Sequence, residues 1–247
     1  MSEQDENAIT VRIWRGRDQG ALVEYRVPLR ENQTVLDLVT EVQRRLEPSL
    51  AYRFACRVGV CGSCAMTVNG VPRWTCRTHV SRVIGEDRIV TIEPLRHMPR
   101  IKDLACDMTE FFDKWARAGG RFQGGRTRHD PPQSVEPRSR QRRAVDAGIE
   151  CINCAVCYSA CDVVGWNPDY LGPAAMNRAW TLFNDERHQA RREVLATVMA
   201  DGGCGSCHTQ GQCVRHCPVG LSPTGSIAGL KRAGFWLALT GRGDDSR

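Results

Sequence analysis

No stretch of this 247-residue sequence stays apolar for long. The longest such run is FWLAL, residues 235–239, far short of the ~20 residues that a membrane-spanning helix needs. The opening MSEQDENAIT has neither a basic leader nor an apolar core, so no secretory signal is expected. No motif recurs at a solenoid period. No paired acid and base marks a bond-making active site. The expectation is a chain of the reducing cytoplasm, with length for one or two domains and 41% hydrophobic residues to build their cores. What stands out instead is cysteine, of which there are thirteen. In a reducing compartment disulfides are rare, and clustered thiols usually hold metal or do chemistry. An odd number also does not suit a fully paired disulfide framework.

Charge is unevenly placed. Residues 117–143 carry eight arginines against Asp130 and Glu136, an excess equal to the whole net charge of +6. With Gly119-Gly120, Gly124-Gly125 and Pro131-Pro132, the stretch reads as a linker or an extended surface segment. It is either a solvated basic loop or a patch for an acidic partner or anionic lipid headgroups. No nucleic acid is expected, because no aromatic residues interleave suitably and no recognition motif is present.

The two sides of that segment differ in pattern. Before it, ITVRIW and LVEYRV alternate apolar and polar residues like strands. Residues 34–46 have helical spacing, with Thr34 as the N-cap. Asn69-Gly70 suits a type I′ hairpin turn, and RIVTIEPL reads as a further strand. After it, residues 101–120, 173–203 and 222–234 read as helices. The fold class expected is α+β. Residues 1–105 resemble a β-grasp domain of the plant-type [2Fe–2S] ferredoxin kind. Residues 106–247 resemble an α-helical bacterial-type two-cluster ferredoxin domain.

Three cysteine sets carry the chemistry. Cys56, Cys61 and Cys64 have C-x4-C-x2-C spacing, and Cys76 follows at a distance. Plant-type [2Fe–2S] sites use this arrangement. Gly59 and Gly62 permit the tight backbone turns that aim amide N–H groups at sulfur, and such hydrogen bonds tune the potential. Structural zinc is the alternative, but its sites usually pair two short C-x2-4-C units. The second set, Cys151, Cys154, Cys157 and Cys161, has the bacterial ferredoxin spacing, in which the fourth cysteine ligates the other cluster. The third set, Cys207, Cys213 and Cys217-Pro218, repeats it with Gln210 where a cysteine would stand. Crossing the fourth ligands gives Cys151, Cys154, Cys157 and Cys217 to a [4Fe–4S] cluster. It leaves Cys161, Cys207 and Cys213 for a [3Fe–4S] cluster, because a neutral amide replaces a thiolate poorly. Cys204 is out of register and reads as a bystander, although it could be a fourth ligand. Cys106 reads as a small buried hydrophobe.

Taken together, CRVGVCGSCAMTVNG, IKDLACDM, CINCAVCYSAC, GWNPDYLGPAA and CVRHCPVGLSPT resemble the iron–sulfur subunit of succinate dehydrogenase and fumarate reductase, from about residue 8 to 238. The resemblance implies an electron-transfer subunit of a membrane-bound succinate:quinone oxidoreductase, within the tricarboxylic acid cycle and the respiratory chain. It implies a flavoprotein partner with covalent FAD and membrane anchor subunits that hold quinone and can hold haem. It implies a peripheral place on the cytoplasmic face of the bacterial inner membrane. Trp166 and His208 match positions that border quinone in the family, where an indole N–H can donate and an imidazole can handle a proton. Asp162 and Gly165 depart from the family's usual proline and second tryptophan. Fumarate reduction is the alternative direction. An iron–sulfur or zinc DNA sensor and a free ferredoxin-like carrier are the rivals from other classes.

Overall fold

A computed structural model describes residues 7–145 and 147–241; residues 1–6, which open the stretch read above for a signal, lie outside it. The chain forms two compact units. One holds the residues up to Met108 together with Ile152–Ala160; the other holds Thr109–Cys151 and the residues from Cys161 on. The expected division at 105/106 therefore differs chiefly in residues 152–160, which belong to the first unit. Among the described residues no helix is long and apolar enough to cross a membrane.

The first unit is a mixed five-stranded sheet. Its strands are β1 (Ala8–Gly16), β2 (Gly20–Pro28), β3 (Ala65–Val68), β4 (Val71–Trp74) and β5 (Ile89–Glu93), in the order β2-β1-β5-β3-β4. β1 and β5 run parallel and the other pairs antiparallel. Alternation in β1 sends Ile9, Val11 and Ile13 into the core. There they meet Val35, Leu38 and Val39 of helix α1 (Val35–Glu41). Thr34 caps α1 as its sequence suggests. The Asp37 N–H donates to Thr34 Oγ1 at 3.3 Å, and the Thr34 N–H donates back to the Asp37 carboxylate at 3.0 Å. The α-helical turns end at Glu41 and continue as a π-helix through Leu46, where the spacing placed the helix end and the Glu47 N–H reaches the Val42 carbonyl. Asn69 and Gly70 join β3 to β4, both with positive φ, as a type I′ turn requires.

Residues 101–108 are not helical. Arg100–Lys102 (β6) and Ala105–Cys106 (β7) pair as two short strands. Asp103 between them is buried with φ +50°. Its carboxylate accepts the N–H groups of Gly16 and Ala51, each at 2.9 Å, and Arg15 Nε at 3.0 Å. These long-range bonds outweigh the helical propensity of the segment. They also fix residue 51, just before the first cysteine loop.

In the second unit, helices α2 (Thr109–Arg117) and α3 (Arg140–Val145) lie at the ends of the arginine-rich segment. Residues 121–134 between them are exposed throughout. The 173–203 stretch, whose pattern allows one or two helices, forms two, α6 (Pro173–Phe183) and α7 (Arg191–Met199). The last helix, α9 (Pro223–Thr240), runs well beyond the expected 234. Met176, Ala179, Val194, Val198, Ile227 and Leu230 make the core where these three helices pack. Shorter helices α4 (Val156–Ser159), α5 (Asp162–Trp166) and α8 (Gln212–Arg215) follow cysteines of the second set or carry one of the third.

Candidate cluster-binding sites

The first cysteine set lies wholly in the first unit. The Cys56 sulfur accepts N–H groups from Val58 and Val60, each at 3.4 Å, and the Cys56 N–H points at the Cys61 sulfur at 3.5 Å. Those amides of Val58 and Val60 lower the Cys56 thiol to about 6. Cys64 and Cys76 form the inner wall, buried with Leu36 and flanked by Tyr52 and Trp74. Burial and the neighbouring Cys64 thiol push Cys76 up to about 12, against the Gly59 N–H. Thr75 fixes this wall: its N–H and hydroxyl both donate to the Cys64 carbonyl, at 3.2 and 2.8 Å. Gly59 has φ +79°, and a Cβ there would lie 2.9 Å from the Trp74 ring. Gly62 has φ +70°, and a Cβ would lie 2.6 Å from Cys154 Cβ. The four thiols and the inward N–H groups fit a small anionic inorganic core held by thiolates.

Cys161, Cys207 and Cys213 come together in the second unit. They line one cleft with Tyr170, Gln210 and Thr224. Cys161 stands at the N-terminus of α5; burial pushes its thiol up, and the N–H groups of Val164 and Val163 oppose that. Cys213 is also pushed up by burial, while Thr224 Oγ1 at 3.2 Å favours the thiolate. A bound iron would ionise both thiols outright. Gln210 lines the cleft with an amide where a fourth thiol would complete the spacing. Cys204 does not line it. Its sulfur is fully buried in the α6–α7–α9 core and donates to Met176 Sδ at 3.6 Å. Cys106 is likewise buried, with its thiol toward the Leu95 carbonyl.

The second set is divided between the units. Cys154 and Cys157 belong to the first, and Cys151 and Cys161, like Cys217 of the third set, to the second. Asn153 and Ala155 have φ +52° and +60°, so the chain between these cysteines winds tightly. The Cys217 sulfur accepts the Leu221 N–H at 3.3 Å.

Trp166 and His208, far apart in sequence, have ring centroids 5.4 Å apart at 56°. Both are exposed. Asn167 Nδ2 donates to Ser206 Oγ at 3.3 Å and ties the end of α5 to the loop that carries His208. Sequence reasoning missed three neighbours of the third set. Tyr170 is buried beside the thiols, and Thr224 faces Cys213. Lys231 Nζ donates to the Cys207 carbonyl at 3.0 Å. Tyr170 and Thr224 lay within the quoted GWNPDYLGPAA and CVRHCPVGLSPT motifs; no spacing signal marks Lys231.

The chain matches two family models. Residues 10–113 match a 2Fe-2S iron-sulfur cluster binding domain, and residues 150–222 match a 4Fe-4S dicluster domain. The arginine-rich segment lies between the two. The fumarate reductase iron-sulfur subunit of Mycobacterium tuberculosis (strain CDC 1551 / Oshkosh) is 38% identical over 222 residues, which is 87% of this chain and 86% of that protein. The mitochondrial succinate dehydrogenase [ubiquinone] iron-sulfur subunit 1 of Oryza sativa subsp. japonica is 35% identical over 213 residues, 85% of this chain and 75% of that one. Among solved structures, a chain of the Mycobacterium smegmatis Sdh1 complex in the apo form aligns with a TM-score of 0.82 at 28% identity, covering 95% of this chain and 98% of that chain.

Proposed function

Because this chain belongs to the iron–sulfur subunits of succinate dehydrogenase and fumarate reductase, we propose that its cysteines hold three separate clusters and that Trp166 and His208 meet a quinone. The protein is an oxidoreductase subunit for electron transfer in a membrane-associated succinate:quinone oxidoreductase. Relatives carry the names of both directions of the reaction. When bound, the clusters accept and release electrons one at a time.

Cys56, Cys61, Cys64 and Cys76 hold the [2Fe–2S] cluster, and Val58 and Val60 supply N–H groups to sulfur. Cys151, Cys154, Cys157 and Cys217 hold the [4Fe–4S] cluster on the strength of their spacing. Cys161, Cys207 and Cys213 hold the [3Fe–4S] cluster. The observation that supports this last assignment is the cleft that those three cysteines line together with Gln210, which stands where the spacing would put a fourth cysteine. Tyr170, Ile227 and Pro173 line the same cleft. The Trp166 indole N–H orients a quinone oxygen, and the His208 imidazole moves a proton to or from it; both rings are exposed and adjacent, as a docking pair must be. The partners are a flavoprotein with FAD and an anchor that can carry haem. The site of action is the cytoplasmic face of the bacterial inner membrane.

Low-temperature EPR of the purified complex tests the cluster assignments, with iron and sulfide measured in parallel. Three signals are expected, one of the three-iron type in the oxidised state. Gln210→Cys supplies a fourth thiolate, so the three-iron signal should disappear and the potential of that centre should fall. An unchanged oxidised-state signal in the variant would count against the assignment. Colourless or zinc-loaded protein would overturn it altogether.

A further inference from the structure

His188 is the one buried histidine among the described residues, and neither the clusters nor the quinone pair uses it. It stands in the connection between α6 and α7 and is 2% exposed. Its Nδ1 accepts the Gln123 N–H at 3.0 Å. The proton of the neutral ring is therefore on Nε2, which is buried with no acceptor among the described residues. Around this bond residues 122–125, the start of the arginine-rich segment, are strapped to the connection. The Gln189 N–H donates to the Gln123 carbonyl at 2.9 Å, and Gly124 pairs with His188 as an antiparallel bridge. The Phe122 ring lies 5.8 Å from the imidazole, and the Arg187 guanidinium lies 5.8 Å from the Phe122 ring. Just before the strap, Arg178 Nε donates to the Gly120 carbonyl at 3.0 Å. From Arg126 to Ser139 the hydrogen bonds found among the described residues reach no further than five positions along the chain.

A proton would undo this strap. A ring nitrogen that carries hydrogen cannot also receive an N–H. The imidazolium would set its Nδ1–H against the Gln123 N–H and leave its Nε2–H without an acceptor, so a buried cation would have neither of its hydrogen bonds. Neighbouring charge does not rescue it. Asp185 of the connection and Glu193 of α7 favour the cation, Arg178 of α6 and Arg191 of α7 oppose it, and residues 122–125 carry no charge. Asp185 is also engaged by Arg187, whose Nε and Nη2 lie 2.9 and 2.8 Å from its carboxylate oxygens. Burial is the largest influence and holds the imidazole below its ordinary range. We propose that His188 is an acid-opened clasp, which pins residues 122–125 to the α6–α7 connection while neutral and lets the arginine-rich segment lift away when protonated. With the strap open, the imidazole returns to an ordinary value of about 6.5. The closed form holds its proton less well, so closing releases one. The clasp is fully held above that value and loosens as pH falls below it. Arg126, Arg128 and Arg138 ride on the part that is freed.

The test is hydrogen–deuterium exchange on the intact complex at about pH 7.5 and about pH 5.5, corrected for the intrinsic exchange rate at each. An open-state value of about 6.5 lets the closing equilibrium change by at most about tenfold between those two conditions. Protection of the Gln123 and Gln189 amides should therefore fall by about three- to tenfold in acid, while the Met176 amide, bonded to the Gly172 carbonyl within the core, keeps its own. A fall of less than threefold at Gln123 would overturn the proposal. An equal fall at Met176 would overturn it too, because the whole unit would then be opening. His188→Asn offers an acceptor oxygen near the Nδ1 place and takes up no proton, so its strap should be equally protected at both pH values. A fall in that variant matching the parent's would assign the response to another group and overturn the clasp. His188→Leu has no acceptor, and its strap should exchange quickly at both. Cluster EPR signals show whether each variant is folded, and where one is not, the pH response of the parent complex decides alone.

Discussion

Replacing Cys204 separates the two accounts of the third cysteine set. If Cys204 is a core residue, the cost of losing it follows from packing alone. Its sulfur is fully buried against Met176 and is absent from the cleft that Cys161, Cys207 and Cys213 line. Cys204→Ala removes one buried sulfur, about 1 kcal/mol of transfer free energy, and the void raises the cost to roughly 1–2 kcal/mol. Cys204→Ser keeps the volume but buries a hydroxyl against a weak thioether acceptor, which costs about 1–3 kcal/mol. Each kcal/mol lowers the melting temperature by roughly 2–4 °C in a domain of this size class. Burial pushes the Cys204 thiol up to about 12. It raises Cys161 and Cys213 as well, so the direction of the sulfur is what distinguishes Cys204 from them. The assay is thermal melting together with EPR and iron and sulfide content. Both variants should melt a few degrees lower with every cluster signal at full spin intensity, whereas Cys207→Ala should lose one. Loss of a cluster from either Cys204 variant, or conversion of a four-iron signal to a three-iron one, would refute the reasoning and make Cys204 a ligand.

Gly62→Ala would place a methyl 2.6 Å from Cys154 Cβ at a backbone angle that alanine resists, so it should destabilise the first unit by several kcal/mol; a melting temperature within 2 °C of the parent would argue against the close approach. Asp103→Asn addresses pH. Burial alone would raise the Asp103 carboxyl, but the N–H groups of Ala51 and Gly16 and the Arg15 guanidinium outweigh it and hold it below the usual carboxylate range. A folded-state value below the unfolded one stabilises above about pH 4, and that contribution is lost as pH falls through the folded value. The variant should therefore be less stable at neutral pH, and the difference from the parent should shrink in acid denaturation below about pH 4; a constant difference would show that the carboxylate charge is not responsible.

The alternation of β1, the Thr34 cap and the Asn69-Gly70 turn were readable because each depends on residues close in sequence. The grouping of Cys56, Cys61, Cys64 and Cys76 was readable for the same reason, since a loop of fixed spacing allows few arrangements. Residues 101–108 were misread as helix because the deciding bonds come from Gly16 and Ala51, remote in sequence. The inclusion of 152–160 in the first unit was hidden for the same cause. It depends on the absent side chain of Gly62 and on the Ser159 hydroxyl, which accepts the Arg96 N–H at 2.8 Å. The extension of α9 through 240 was obscured because its final turns are apolar on an exposed face, which breaks the amphipathic pattern that marks a helix end.

The return of residues 152–160 to the first unit also sets a schedule for synthesis. A ribosome moving at roughly 5–20 residues per second makes the sheet through Met108 and then needs several seconds more before Ala160 is made. During that interval the strand β4 and the loop at Gly62 await their last neighbour, Val156–Ser159. The nascent amino-terminal half is an unfinished object for as long as the arginine-rich stretch is being translated, and whatever loads metal into Cys56–Cys76 meets it either in that open condition or only after the second half has begun to emerge.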